Sequence, residues 1–328
     1  MTASHRTMWL ALLAALAIGL SGCPRPLPKT QVSLDTLVGE YNANAAAVPR
    51  LWARVKVRAA KYDPLTGLET RSHGSRLLPP NGLLLLSKGK NPLGTHNFVL
   101  IVRETLAHEL ARVGVSRDEG VYYMWQRMWE KEAQWGRVEL AGAPNIPQLP
   151  IDPLGLLAVL AVCQLPGDFT HLPTVALTMN TRPSEQYAYV LTYVDRRPIS
   201  RQIGFRRELH FVWHDEKPRR LFRINFFDSR GRRVMAANVG DYRPIDVSTM
   251  EDPPQHPPIM PTDIEIAWFD DQDRKTSKVH LWLSEMTAVE TWDVSQCRFK
   301  ENLPGDIPPE KVIQVDKGIV RPPKGVRK

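Results

Sequence analysis

The sequence of 328 residues has only three cysteines, no apolar run long enough to cross a bilayer and none of the compact motifs that mark common enzyme chemistry. Its longest apolar run, Met8 to Leu20, falls short of the roughly 20 residues a transmembrane helix needs. His108-Glu109-Leu110-Ala111-Arg112 begins like a zinc-protease helix but has no second histidine four residues on, so the pair that grips the metal is missing. Asp270-Asp271-Gln272-Asp273 opens like a calcium loop, yet lacks the turn glycine and the closing glutamate, and reads as a solvated hairpin tip. There is no Gly-x-Ser-x-Gly elbow, since Gly74-Ser75-Arg76 has no second glycine, and no phosphate-cradling loop precedes Gly89-Lys90. Neither Cys163 nor Cys297 has a recognisable activating partner. A non-enzymatic protein without cofactor or metal is expected.

Positive charge is present in excess, with 43 Lys and Arg against 35 Asp and Glu. Such a balance suits anionic phospholipid surfaces and, taken alone, nucleic acid. The arginines are spread along many segments rather than gathered on one helix, so no nucleic-acid partner is expected. Arg6 precedes Met8–Leu20, which has the length of a signal-peptide apolar region, and Leu20-Ser21-Gly22-Cys23 follows directly. This stretch resembles the lipobox of bacterial lipoproteins. The resemblance implies a signal peptide over 1–22, cleavage after Gly22, and Cys23 as the lipid attachment site, diacylated on sulfur and then N-acylated with a palmitate-like chain. Two or more acyl chains anchor a protein stably where one does not. It also implies a lipoprotein of the bacterial cell envelope facing the periplasm, with the outer membrane favoured over the inner.

Pro24-Arg25-Pro26-Leu27-Pro28 favours an extended spacer, so 23–32 reads as a proline-rich tether. With Cys23 committed to lipid, Cys163 and Cys297 remain as an even pair in an oxidising compartment, open to a disulfide or to standing as two buried free thiols. The remaining chain is long enough to bury a substantial core.

Ser33 is placed to N-cap a helix reaching Ala47, with Leu34, Leu37, Val38 and Tyr41 on one face. From Leu51 the pattern alternates, with Val55 and Val57 opposite Arg54, Lys56 and Arg58, as in a half-buried strand. Strands are expected near 68–77, 82–88, 96–103, 105–113, 120–128 and 134–141, although 105–113 and Met124 to Trp129 also fit helical spacing. Asp152 and Pro153 begin an apolar helix over 153–162 that must be covered on most sides. Beyond it, Tyr187 to Tyr193, Leu209 to Trp213, 219–228, 234–239, 262–269 and 277–285 alternate and are separated by turns, which is antiparallel arithmetic. In 219–228 the alternation puts Phe222, Ile224 and Phe226 on one face. Residues 303–328 are rich in proline and end in Lys-Gly-Val-Arg-Lys, so a disordered basic tail is expected.

The segments Leu37 to Arg58, Leu154 to Val162, Arg220 to Val234 and Met260 to Trp268, in that order behind a lipobox, resemble the LolA and LolB carriers and receptors of envelope lipoproteins. The resemblance implies a mainly β, α+β fold over 33–302: a strongly curved antiparallel sheet of about eleven strands, open like a half-barrel and plugged by helices, with 153–162 as a lid. It makes 105–113 and 120–128 strands. It further implies an apolar cavity for a lipid or the acyl chains of a lipoprotein, with the membrane as a second partner through the N-terminal lipid. Trp125, Leu154, Leu157, Leu160, Tyr189, Phe211, Trp213, Phe222, Phe226 and Trp268 are the candidate lining residues, because a large apolar surface accepts lipid without directional bonds. The alternative is an interaction or assembly module with a conventionally packed core that docks another envelope protein.

Overall fold

A computed structural model describes residues 31–73, 81–89, 96–105, 108–128, 130–141, 149, 151–170, 174–180, 187–196, 203–213, 219–228, 230–289 and 291–317. The expected signal peptide, Cys23 and the tether up to residue 30 lie outside the described residues, as do 318–328. The chain begins with helix α1 (Leu34–Ala47) and continues through strands β1 (Leu51–Tyr62), β2 (Glu69–His73), β3 (Asn81–Ser87), β4 (Asn97–Thr105), β5 (His108–Ser116), β6 (Val121–Gln126) and β7 (Glu132–Arg137). Helix α2 (Pro153–Val159) follows, then β8 (Thr174–Asn180), β9 (Ala188–Arg196), β10 (Ile203–Val212), β11 (Leu221–Phe227) and β12 (Arg233–Gly240). A short pair, β13 (Arg243–Pro244) with β14 (Ile259–Met260), precedes β15 (Asp263–Phe269), β16 (Lys275–Ala288) and a terminal β17 (Val312–Gln314).

All but β13 and β14 belong to one open sheet in the order β17-β7-β6-β5-β4-β3-β1-β16-β15-β12-β11-β10-β9-β8, with β2 also paired to β1. Two antiparallel meanders are therefore joined along β1 and β16, from Leu51 opposite Ala288 to Lys61 opposite Ser277. The segment 108–116 is a strand, so His108 and Glu109 stand on a sheet; Glu109 is held by Arg112 at 2.9 Å and Arg103 at 3.3 Å.

Both helices lie on one face, hereafter the inner face. Ser33 caps α1, its hydroxyl accepting from the Thr36 amide at 3.2 Å. Asp152 caps α2, accepting from Leu154 N at 3.0 Å with Pro153 at the first helical position. Leu37, Val38, Tyr41 and Ala45 of α1 and Leu156, Leu157 and Val159 of α2 join the inner-facing side chains of β1 and β9–β16 in one continuous core. Polar residues then fix α1 in place. Asn42 exchanges two hydrogen bonds with the backbone of Leu165, at 2.7 and 2.8 Å, and Asn44 exchanges two with Ile259, both at 2.9 Å. Lys88 donates to the Ala45 and Ala46 carbonyls at the α1 C-terminus, where a cation suits the helix dipole; burial lowers its pKa to about 8.

The outer face differs between the two halves. On β12 and β15 burial alternates, with Asn238, Asp263 and Glu265 among the side chains left outward. On β4 to β6 nearly every residue is buried, because residues 291–317 run across the outer face as a strap. Phe299 and Ile307 pack with Val121, Tyr123 and Trp125, while Cys297 packs with Leu85, Val99 and Ile101. The strap ends as β17, parallel to β7 with Val312 opposite Ala133. Residues 303–317, expected as the start of a disordered tail, are thus folded. Their prolines permit single 3-10 turns and an edge strand, and apolar anchors at Leu303, Ile307 and Val312 supply the burial that composition alone does not reveal.

Candidate functional site

The inner face is the site to which the sequence points, and it is filled for most of its length. Tyr41 of α1 meets Phe211 edge-on at 5.9 Å, and Tyr189 stacks on Trp213 at 4.9 Å. Arg219, entering β11, forms a two-pronged ion pair with Glu40 of α1 at 2.7 and 2.8 Å and lies over the Tyr189 ring. With α1 and α2 seated, open space remains at one mouth. There Met124, Leu149, Ile151, Val234, Trp268 and Val279 enclose a cavity of about 370 Å³, with Lys61, Ser277 and Lys278 at its edge. This volume falls within the roughly 300–1,000 Å³ typical of small-ligand sites.

Eight of the ten residues singled out from the sequence lie on this face. Leu157, Leu160, Tyr189, Phe211, Phe226 and Trp268 are buried in the inner core, and Leu154 and Trp213 pack against it half-buried. Trp268 is the one of these that lines the open cavity. Two are placed elsewhere. Trp125 points to the outer face, under the strap and beneath the Arg127 guanidinium at 5.6 Å. Its inner-facing neighbour Met124 takes the cavity position instead. Phe222 departs from the expected Phe222–Ile224–Phe226 alternation because the β10–β11 register slips between His210 and Phe211. It packs edge-on against His210, while Leu221 turns inward. A β-bulge reverses every side chain on one side of it.

Cys163 and Cys297 are both free. Cys163 packs against the inner core and Cys297, in the strap, against the outer face, in separate clusters, so of the two alternatives left open by the sequence the structure has free thiols rather than a disulfide. Burial pushes their thiols up to about 11 and about 12, which keeps them protonated and unreactive at neutral pH. The tip at Asp270 is a closed turn whose carboxylate accepts from the Gln272 and Arg274 amides, each at 2.9 Å. No cluster of three or more metal-binding side chains occurs among the described residues.

Composition gave no pointer to the lining contributed by Leu149 and Ile151, which stand in the proline-rich approach to α2. A second, larger groove of about 850 Å³ lies on the outer face between the strap and β6–β7, floored by Val121, Trp135, Phe299, Leu303 and Val312. Nothing in the alternation of β6 distinguishes this groove from the inner cavity, since both faces of β6 are buried.

No family model and no curated protein matches the sequence. Among solved structures, a DUF1329 family protein from Desulfovibrio piger matches 82% of this chain and 97% of its own at 9% identity, with a TM-score of 0.52. A LolA superfamily protein from Nitrosomonas europaea matches 83% of this chain and 100% of its own at 14% identity, with a TM-score of 0.45. At such identities the likeness is one of fold. With one large open sheet and helices seated on a single face, the chain is a mainly β, α+β open half-barrel that shares its fold with the Desulfovibrio piger DUF1329 structure.

Proposed function

We propose that this chain is a lipid-anchored protein of the bacterial cell envelope whose half-barrel holds an acyl chain, of a lipid or of another lipoprotein, at one membrane. The open apolar cavity beside Trp268 is the observation that carries this reading. Apolar walls accept a hydrocarbon tail by area burial alone, about 25 cal/mol per Å². The chain comprising residues 24–328, which retains every described residue, is expected to take up a fluorescent fatty acid saturably and to quench Trp268. Ser277 faces Trp268 across the β15–β16 pair, so Ser277→Trp fills the space and should abolish uptake while leaving the fold intact. Absence of uptake by the unmodified chain would sink the proposal.

The anchor is tested separately. Labelled palmitate is expected to enter the full chain and not a Cys23→Ala variant; equal labelling of both would move the lipid elsewhere. The outer groove favours a second reading, in which the strap and β7 present a docking surface for an envelope partner and the inner face acts as a closed core. Under that reading Ser277→Trp leaves function unchanged.

A further inference from the structure

Residues at one level of the inner face form a row across the sheet: Lys61, Ser277, Trp268, Met235, Phe226, Arg207 and Tyr193 are paired strand to strand in succession. The open cavity lies at the Trp268 part of this row, and α2 covers its middle, with Gly155 so close to Met235 that a Cβ there would meet the Met235 methyl at 2.8 Å. Arg207 stands three strand spacings from Trp268, ~14 Å at about 4.8 Å per strand. Its position is unusual. Leu209 and Phe211, the next residues on that side of β10, are core, and the half-buried guanidinium beside them carries part of the desolvation cost that a partner normally offsets.

Among the described residues no carboxylate pairs with Arg207, and its Nε is buried without a hydrogen-bond acceptor. The guanidinium lies over the Tyr193 ring, 5.4 Å from the centroid. Tyr193 itself is 3% exposed and its buried hydroxyl also lacks a partner. Burial raises the Tyr193 pKa to about 12 although Arg207 opposes the shift, so the hydroxyl is a protonated donor at neutral pH. Glu40, the nearby carboxylate of α1, is already engaged by Arg219. Two donors with no acceptor, side by side on an apolar wall, match the oxyanion of an amphiphile.

We propose that Arg207 and Tyr193 bind the single-charge oxyanion of a lipid, a carboxylate or a phosphodiester, with α2, which rests on Met235, lifting from the row to let the tail reach the Trp268 cavity. Arg207 supplies the charge and up to two N–H donors, and Tyr193 one O–H donor. The site rests on the lipid-holding reading above and specifies what part of the ligand gives it orientation.

Residues 24–328 are titrated with oleate, lysophosphatidylglycerol and uncharged oleyl alcohol, as the unmodified sequence and as Arg207→Leu and Tyr193→Phe. Arg207→Leu is expected to weaken at least one of the two anions by at least about tenfold, as loss of a hydrogen bond to a charged group implies, with oleyl alcohol changed less than about twofold. Tyr193→Phe should move the same anion in the same direction by less. Which anion loses affinity identifies carboxylate or phosphodiester as the natural group. The unliganded Arg207→Leu protein is expected to melt no lower than the unmodified one, since an unpartnered cation is replaced by an apolar side chain. Unchanged affinity for both anions in Arg207→Leu would overturn the site while leaving lipid holding intact, and an equal loss for oleyl alcohol would overturn it by revealing a packing effect. Failure of the unmodified chain to bind any of the three overturns the lipid reading and this site together.

Discussion

Phe299→Ala is expected to lower stability by about 3–5 kcal/mol, the range for deleting a buried aromatic side chain. Phe299 is buried on the outer face, with its ring 5.2 Å from Tyr123 and 5.9 Å from Trp135, and its amide donates to Glu119 at 2.6 Å. Surface positions cost within about 0.5 kcal/mol, so urea unfolding followed by tryptophan fluorescence separates a docked strap from a free tail. A change under 1 kcal/mol would mean that 291–317 does not pack as described. Deleting 303–328 strips β17 from the edge of β7, removes Ile307 and exposes part of the outer core, so it too should destabilise the sheet. Such a deletion is therefore a test of folding before it is a test of partner binding.

The strap also carries a pH dependence. Asp316 is fully buried and accepts from Arg137 N at 2.9 Å, Arg137 Nε at 2.8 Å and Gln314 Nε2 at 2.7 Å. Burial alone raises its pKa, but these donors and the Arg137 charge together outweigh burial and hold the carboxyl below its ordinary value. A depressed carboxylate contributes stability that is complete above the unfolded pKa, ~3.9, and disappears as pH falls through the lower folded value. Hydrogen exchange at β17 should accordingly stay slow down to about pH 4 and rise below it, whereas Asp316→Asn should exchange fast at every pH.

Glu40→Gln is expected to cost about 3–5 kcal/mol, because it leaves the Arg219 guanidinium buried without its counter-charge. The side chains of this pair are 8% and 14% exposed. A contrasting pair, Arg54 with Glu285 at 2.7 Å, is 67% and 53% exposed, and Glu285→Gln should change stability by less than about 1 kcal/mol. Thermal unfolding of the two variants reads the difference directly, and equal effects would show that Glu40 does not pin α1 to the sheet. Replacing both Glu40 and Arg219 by methionine should recover much of the loss, since a buried ion pair is often matched by apolar residues of similar volume.

Much of the secondary structure was legible. Ser33 and the Asp152–Pro153 pair mark both helix starts, α2 ending earlier than expected at Val159, and the period-two segments from 187 onward became β9 to β12, β15 and β16. Within the ambiguous segments 105–113 and 120–128, the described residues from His108 onward and from Val121 to Gln126 are strand through their pairing with β4 and β7, which no local pattern could decide. The edge strand β8 was missed because Thr174 to Asn180 carries weak alternation and owes its place to β9. Asn42 and Asn44, which fasten α1 to loops more than 100 residues away, look in the sequence like ordinary exposed helix residues.

The sequence by itself determined that this chain would build an antiparallel sheet with apolar helices to cover it, because side-chain period and helix caps are local properties written into a few consecutive residues. Only the tertiary structure decided which face each strand turns toward the helices, and hence which aromatics face the inner core and its cavity. Alternation specifies that Met124 and Trp125 point to opposite faces but not which face is inner. That depends on α2 covering one side of β6 and the strap covering the other, on a bulge that turns Phe222 out, and on a stretch of prolines that brings Ile307 and Asp316 back across the sheet. Burial on both faces erases the contrast on which a pattern relies, and the segments that create it come from distant parts of the chain.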